Sequence, residues 1–167
     1  MEPRPAPSTG RWYEDFEVGA VYRHWPGRTI SEADNTWFTL LTMNTHPLHF
    51  DADYAAGTSF GRPLVNSCLT LAIVVGMSVR DVSQAAIANL GFDKVELPHP
   101  VFNGDTLYAS STVLATRPSR SDPSRGIVTV RTLGVNQDDI QVLRLERSVL
   151  VPRRGGAEAP PPSSGQA

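Results

Sequence analysis

The stretch "SCLTLAIVVGMSVRDV", residues 67–82, constrains the fold more than any other part of the chain. Up to Met77 its side chains are apolar almost all round, so a helix here has no stripe to leave in water and needs cover from several directions. Asn66 or Ser67, at the end of "GRPLVN", can cap its start. After it the hydrophobic period changes to two, over "AAIANLGFDKVEL", "DTLYASSTVLATR", "GIVTVRTLGVN" and "QVLRLERSVLVP". Turn residues separate these runs in "PHPVFNGD", "PSRSDPSRG" and "NQDD". In the first run the apolar phase slips between Phe92 and Val95, which predicts a bulge near Gly91 to Lys94. Only a sheet can cover one helix on several sides, so the expected class is α+β, an antiparallel sheet wrapped round a long buried helix.

Ahead of that helix, "GAVYRHWPGRTI" reads as a strand and "SEADNTWFTLLTM" as a helix. Ser31 is its N-cap, Asp34 completes a capping box, and Ala33, Trp37, Leu40 and Leu41 form its apolar side. It has to stop before Pro47, because the residue preceding a proline is pushed out of helical dihedrals. Both ends, residues 1–10 and 155–167, are rich in Pro, Gly, Ala and Ser and read as disordered tails. A single domain over residues 11–154 is expected, since 167 residues at 40% apolar suffice for one core.

A net charge of -2 argues against nucleic acid as a partner. Lys94 is the only lysine and the other basic residues are Arg, which suits an anionic small ligand without demanding one. One cysteine, Cys68, excludes an internal disulfide framework, so a reducing, cytoplasmic compartment is the default, and its apolar setting predicts a buried packing thiol. The start "MEPRPAPSTGRW" has no leader-like apolar segment, and the apolar run at 69–79 is too short to span a bilayer, so no membrane association is expected.

The chemistry-bearing stretch is "LLTMNTHPLHFDADYAA", residues 40–56. With the "PLVNSCLTLAIVVGM" helix and the "PVFNGDTL" lead-in to a strand, it resembles the MaoC-like dehydratases, which include the (R)-specific enoyl-CoA hydratases. Among these the chain looks closest to proteins resembling itaconyl-CoA or mesaconyl-CoA hydratases. The resemblance implies a hot-dog fold, with a short helix and loop carrying the hydratase motif. That motif reads G-D-x-N-P-(L/I)-H, and its positions fall on Met43, Asn44, Thr45, His46, Pro47, Leu48 and His49. The family histidine is kept as His49, while Asn44 stands where the family has its catalytic Asp and His46 where it has Asn.

The implied reaction is reversible hydration of a short 2-enoyl-CoA, branched and dicarboxylic acyl groups included. His49 is then the acid/base, and Asn44 orients the water, since an amide can hold water but cannot take its proton. Asp51, Asp53 and Glu32 are candidate replacement carboxylates. Where the family carries H-G-M at the start of the central helix, this chain has Asn66, Ser67 and Cys68. The donor to the thioester oxygen is main chain, so Ser67 with Asn66 keeps that function on paper. His46, Arg62 and Arg28 are candidates for binding a second carboxylate, and Arg117, Arg120 and Arg125 for CoA phosphates. "NTHPLH" offers no third metal ligand, so no metal site is expected, and CoA arrives as part of the substrate, so no cofactor is. A homodimer or dimer of dimers follows from the resemblance. The competing readings are a non-catalytic acyl-CoA binder or partner subunit that has lost the Asp, and a hot-dog thioesterase.

Overall fold

The computed structural model describes residues 10–155, so the two expected tails lie almost wholly outside the described residues. The elements in chain order are β1 (Val21–Thr29), α1 (Glu32–Leu41), a 3-10 turn at Pro47–His49, α2 (Ala52–Ala56) and α3 (Ser67–Met77). A π-helical turn at Val79–Ser83 follows, then β2 (Ala88–Glu96), β3 (Thr106–Pro118), β4 (Arg125–Val135) and β5 (Gln141–Pro152). The strands make one antiparallel sheet in the order β1-β3-β4-β5-β2, with β1 and β2 at its edges. This is the hot-dog arrangement, with α3 laid across one face of the sheet. The anticipated bulge in β2 is present as register shifts at Asn89/Gly91 and Asp93/Glu96, with Lys94 at φ 49.

Alternation along β4 and β5 sends Val128, Val130, Leu143, Leu145, Val149 and Val151 inward, where each is 0 or 1% exposed. Gly134 lets α3 sit close, because a Cβ there would come within 2.7 Å of Val74. The core has two apolar parts, one around Ile30, Leu69, Val74, Leu107 and Leu143 and the other around Phe16, Val82, Val113 and Val149. Between them the inner rows of β3, β4 and β5 carry Ser111, Thr132 and Arg147, all buried.

That polar seam also holds the far end of α3. Arg147 Nη2 donates to Ser78 Oγ at 2.7 Å and Ser83 Oγ at 3.3 Å. His24 Nδ1 donates to Asp81 at 2.9 Å, its Nε2 meets Ser111 Oγ at 2.8 Å, and Ser111 Oγ meets Thr132 Oγ1 at 2.8 Å. Burial works to raise the Asp81 carboxyl, but hydrogen bonds from His24 and Arg11 outweigh it and hold the group below its ordinary value.

Two expectations about burial are corrected. The central helix buries only Leu69, Thr70 and Val74, because the sheet covers it from one side, chiefly through β1, β3, β4 and β5; Cys68 is exposed rather than a packing thiol. In α1 the apolar residues face out, Trp37 at 67% and Leu41 at 76% exposure, and the buried residues are the polar pair Asn35 and Thr39. The capping box itself forms as read, with Ser31 Oγ accepting from the Asp34 N–H and Asp34 accepting from the Ser31 N–H.

Candidate active site

Four backbone segments meet beside the N-terminus of α3. The Leu64 N–H donates to the Leu48 carbonyl at 3.1 Å, and the Val65 N–H donates to the Val101 carbonyl at 2.8 Å. Leu64 and Phe102 also form an isolated bridge. The 3-10 turn that carries His49 is thereby pinned to the segment leading into α3, and that segment to the loop before β3.

His49 Nδ1 lies 2.8 Å from the Leu64 carbonyl oxygen. A carbonyl can only accept, so Nδ1 carries the hydrogen and neutral His49 keeps its lone pair on Nε2. The residue is half-buried. His46 packs edge-on at 6.0 Å between ring centroids, with Tyr54 at 6.0 Å from His46 on its other side. His46 Nδ1 accepts the Leu48 N–H at 3.1 Å, so its own hydrogen sits on Nε2.

Asn44 follows Met43, which adopts φ 59 where the family motif has glycine. A left-handed non-glycine residue costs about 1 kcal/mol, and the turn holds it because the Met43 and Asn44 N–H groups bond to Leu40 and Thr39 carbonyls. The Asn44 side-chain oxygen accepts the His46 N–H at 3.0 Å. Its NH2 group donates to no protein acceptor among the described residues and is left for a ligand or water.

At α3, Asn66 is the N-cap: its Oδ1 accepts the Cys68 N–H at 2.9 Å and its Nδ2 donates to Thr39 Oγ1 at 3.3 Å. The Leu69 and Thr70 N–H groups go to the Asn66 carbonyl. That leaves the Ser67 N–H, which has no acceptor among the described residues, at the positive end of an eleven-residue helix. A cleft of about 240 Å³ opens there, with Phe60, Leu64, Val65 and Val101 as apolar wall and Ser67 and His99 as polar groups.

The expected arginines are placed differently. Arg28 donates to Asp34 at 2.8 Å; hydrogen bonds from Ser31 and then Arg28 hold the Asp34 carboxyl below its ordinary value. Arg62 lies 4.0 Å over the Phe102 ring and does not line the cleft. Arg117, Arg120 and Arg125 sit around the β3–β4 hairpin, at the opposite end of those strands from Phe102, and Arg125 pairs with Asp122 at 2.9 Å. Among the possible replacement carboxylates, Asp51 caps α2 through the Tyr54 N–H, while Asp53 and Glu32 are exposed.

Asn35 was not singled out from the sequence, yet it joins the His49 turn, the Leu64 segment and the start of α3. Its Nδ2 donates to the carbonyls of His49 at 2.9 Å and Leu64 at 3.0 Å, and its Oδ1 accepts the Asn66 N–H at 2.9 Å. The available signal was a polar i, i+4 pair, Asn35 and Thr39, opposite the apolar stripe of α1.

A histidine with one nitrogen free, tied through the Leu64 carbonyl to the segment that leads into an unpaired helix N-terminal amide on a hot-dog sheet, matches the MaoC-like dehydratase class. Within it, the chain belongs to the mesaconyl-CoA hydratase family, whose sequence profile matches residues 4–166. It is 34% identical over 157 residues to the mesaconyl-CoA hydratase of Cereibacter sphaeroides, covering 93% of this chain and 46% of that one. It is 36% identical over 155 residues to the beta-methylmalyl-CoA dehydratase of Chloroflexus aurantiacus, covering 93% and 44%. The chain thus spans about half the length of these curated relatives. The solved MaoC-like dehydratase of Rhodospirillum rubrum superposes with a TM-score of 0.77 at 30% identity, over 87% of this chain and 99% of that one.

Proposed function

We propose that the protein reversibly hydrates a short 2-enoyl-CoA thioester to the 3-hydroxyacyl-CoA. One observation carries this reading: the His49 ring is fixed by its Nδ1–H on the Leu64 carbonyl, and Leu64 also lines the cleft where the Ser67 N–H stands free. His49 Nε2 takes a proton from water as its oxygen bonds to the β-carbon. Charge moves onto the thioester oxygen, where the Ser67 N–H and the α3 dipole stabilise it, and the imidazolium then returns the proton to the α-carbon. Asn44 holds the water through its free NH2 group. Acid–base help of this kind is worth ~100 to 10,000-fold, and an oxyanion donor ~100 to 1,000-fold.

CoA enters as part of the substrate and no further cofactor takes part. The names of the relatives favour a branched, dicarboxylic acyl group such as mesaconyl. A second copy pairs along the edge strand β2, as a homodimer or within a dimer of dimers. The support is that β2 has a partner only on its β5 side, while Ile87, Leu90, Phe92 and Val95 are 40 to 51% exposed. No helix among the described residues is long and apolar enough to cross a membrane, and with Cys68 as the sole cysteine we place the enzyme in the cytoplasm.

The test is loss of the conjugated thioester's ultraviolet absorbance with crotonyl-, mesaconyl- and itaconyl-CoA. Wild type is expected to turn over at least one of them, His49→Ala to lose about 100-fold or more in kcat, and Asn44→Ala to lose less. Acyl-CoA binding with no turnover by wild type would overturn the reading in favour of a partner subunit, and release of free thiol would point to a thioesterase.

A further inference from the structure

Asn35 is 0% exposed and uses its amide in both directions, donating to two carbonyls and accepting one amide hydrogen. Each partner belongs to a different piece of the reaction machinery. The His49 carbonyl fixes the main chain under the base. The Leu64 carbonyl is the group that orients the His49 ring, so it accepts from Asn35 and from His49 Nδ1 together. The Asn66 N–H belongs to the Val65–Asn66 peptide, one peptide ahead of the one that carries the Ser67 N–H, so its bond anchors the N-cap from which α3 starts.

We propose that Asn35 is a positioning residue that sets the base and the oxyanion donor relative to one another, and that it holds neutral His49 in the Nδ1–H tautomer. The inference rests on the hydratase reading for its kinetic consequence and on geometry alone for its tautomer consequence. An amide at this position satisfies all three bonds at once. Aspartate, the same shape, accepts but cannot donate, and its carboxylate would face the His49 and Leu64 carbonyls. With Leu64 displaced, the acceptor that selects the tautomer is lost. Effective positioning of reacting groups is sensitive to shifts of about 1 Å, which cost on the order of 100-fold.

The titratable groups nearest His49 in the loop and at α3 are His46, Tyr54, Asp51 and Cys68. His46 receives the Leu48 N–H, Tyr54 packs on His46, and Asp51 caps α2. On the α3 side Cys68 is exposed and its N–H is taken by Asn66. Any change of tautomer in Asn35→Gln, which introduces no charge, therefore acts through the carbonyl that Asn35 shares with His49.

The experiment compares wild type with Asn35→Asp and Asn35→Gln. Imidazole ¹⁵N spectra should show His49 as the Nδ1–H tautomer in wild type and as a mixture in Asn35→Asp. On the thioester that wild type turns over, Asn35→Asp should lose about 30-fold or more in kcat with KM changed about threefold or less. The acid limb of its kcat profile should move to higher pH, as a new carboxylate near the imidazole requires. Asn35→Gln keeps both functions on a longer arm and should retain the tautomer while losing part of kcat; if Asn35→Asp fails to fold, this variant carries the test. An unchanged tautomer and pH profile in a folded Asn35→Asp protein, or wild-type kcat in a folded Asn35→Gln protein, would overturn the proposal. A wild type with the stated tautomer but no turnover would overturn the hydratase reading and leave the tautomer control standing.

Discussion

His24 on β1 and His49 on the loop before α2 each donate Nδ1–H to an oxygen, at 2.9 Å to Asp81 and 2.8 Å to the Leu64 carbonyl. Their second nitrogens meet different surroundings. His24 Nε2 is spent on Ser111 Oγ, inside a core where its side chain is 0% exposed, and that hydroxyl is spent in turn on Thr132. His49 Nε2 has no protein partner among the described residues, and the residue is half-buried. A Ser, a His and an Asp within hydrogen-bond reach thus make a strut, while a lone imidazole with one bond left over has what the proposed base requires. Proton transfer needs an uncommitted nitrogen that a substrate can reach, and a chain of good hydrogen bonds supplies neither.

The largest expected effect separates the two histidines by kind of damage. His24→Ala takes one partner from the Asp81 carboxylate and one from the Ser111 hydroxyl between the two halves of the core, and should cost about 3 kcal/mol or more. Thermal unfolding should show this as a drop of roughly 10 °C, whereas His49→Ala, which frees one carbonyl at a wetter site, should shift stability by about 1 kcal/mol or less. A His24→Ala protein that keeps its Tm but loses turnover would erase the distinction.

A smaller effect lies in the acid limb of stability. The Asp81 carboxyl is lower in the folded protein than the ~3.9 of an unfolded chain, so its contribution is complete above that value and is lost as pH falls through the folded one. Wild type should therefore exceed Asp81→Asn by about 2 kcal/mol at pH 7, and the two urea midpoints should converge as the carboxylate is protonated below pH ~3.9. A gap that stays constant down to acid would mean that the His24–Asp81 pair holds α3 by packing rather than by charge.

How far the sequence could be read follows from what periodicity encodes. Alternation placed β5 from Gln141 to Pro152 as observed, and the phase slip located the irregularity in β2. The Ser31–Asp34 box and the cap at Asn66 are local chemistry and were legible for the same reason. Periodicity says which residues share a face but not which face meets the sheet. That is why Trp37 and Leu41 were read as the apolar side and Asn35 was overlooked, although the helix start at Ser31 was correctly placed and its end missed by two residues. His24 and Asp81 are 57 residues apart and carry no motif, so only the register of β1 on β3 and the π turn after α3 bring them together. Cys68 and the outer side of α3 were read as core because apolarity marks surface that will be covered without saying by which chain.

His46 sharpens the comparison at its finest grain, since it shares the loop with His49 and also has one nitrogen committed. Its Nδ1 accepts the Leu48 N–H, so Nε2 is a donor in the neutral ring, and the residue is exposed. A donor beside the imidazole proposed as the base can hold a substrate carboxylate but cannot take a proton from water. His46→Asn is the informative change, because an asparagine oxygen can accept the same N–H two residues on and keep the turn. Stability should stay within about 0.5 kcal/mol, and kcat on crotonyl-CoA within about threefold. KM for mesaconyl-CoA should rise several-fold, up to about 10-fold for the loss of one charge-assisted hydrogen bond. An equal fall in kcat on both thioesters would show the His46 ring acting on His49 itself, and the free nitrogen of His49 would then need a neighbour to do its work.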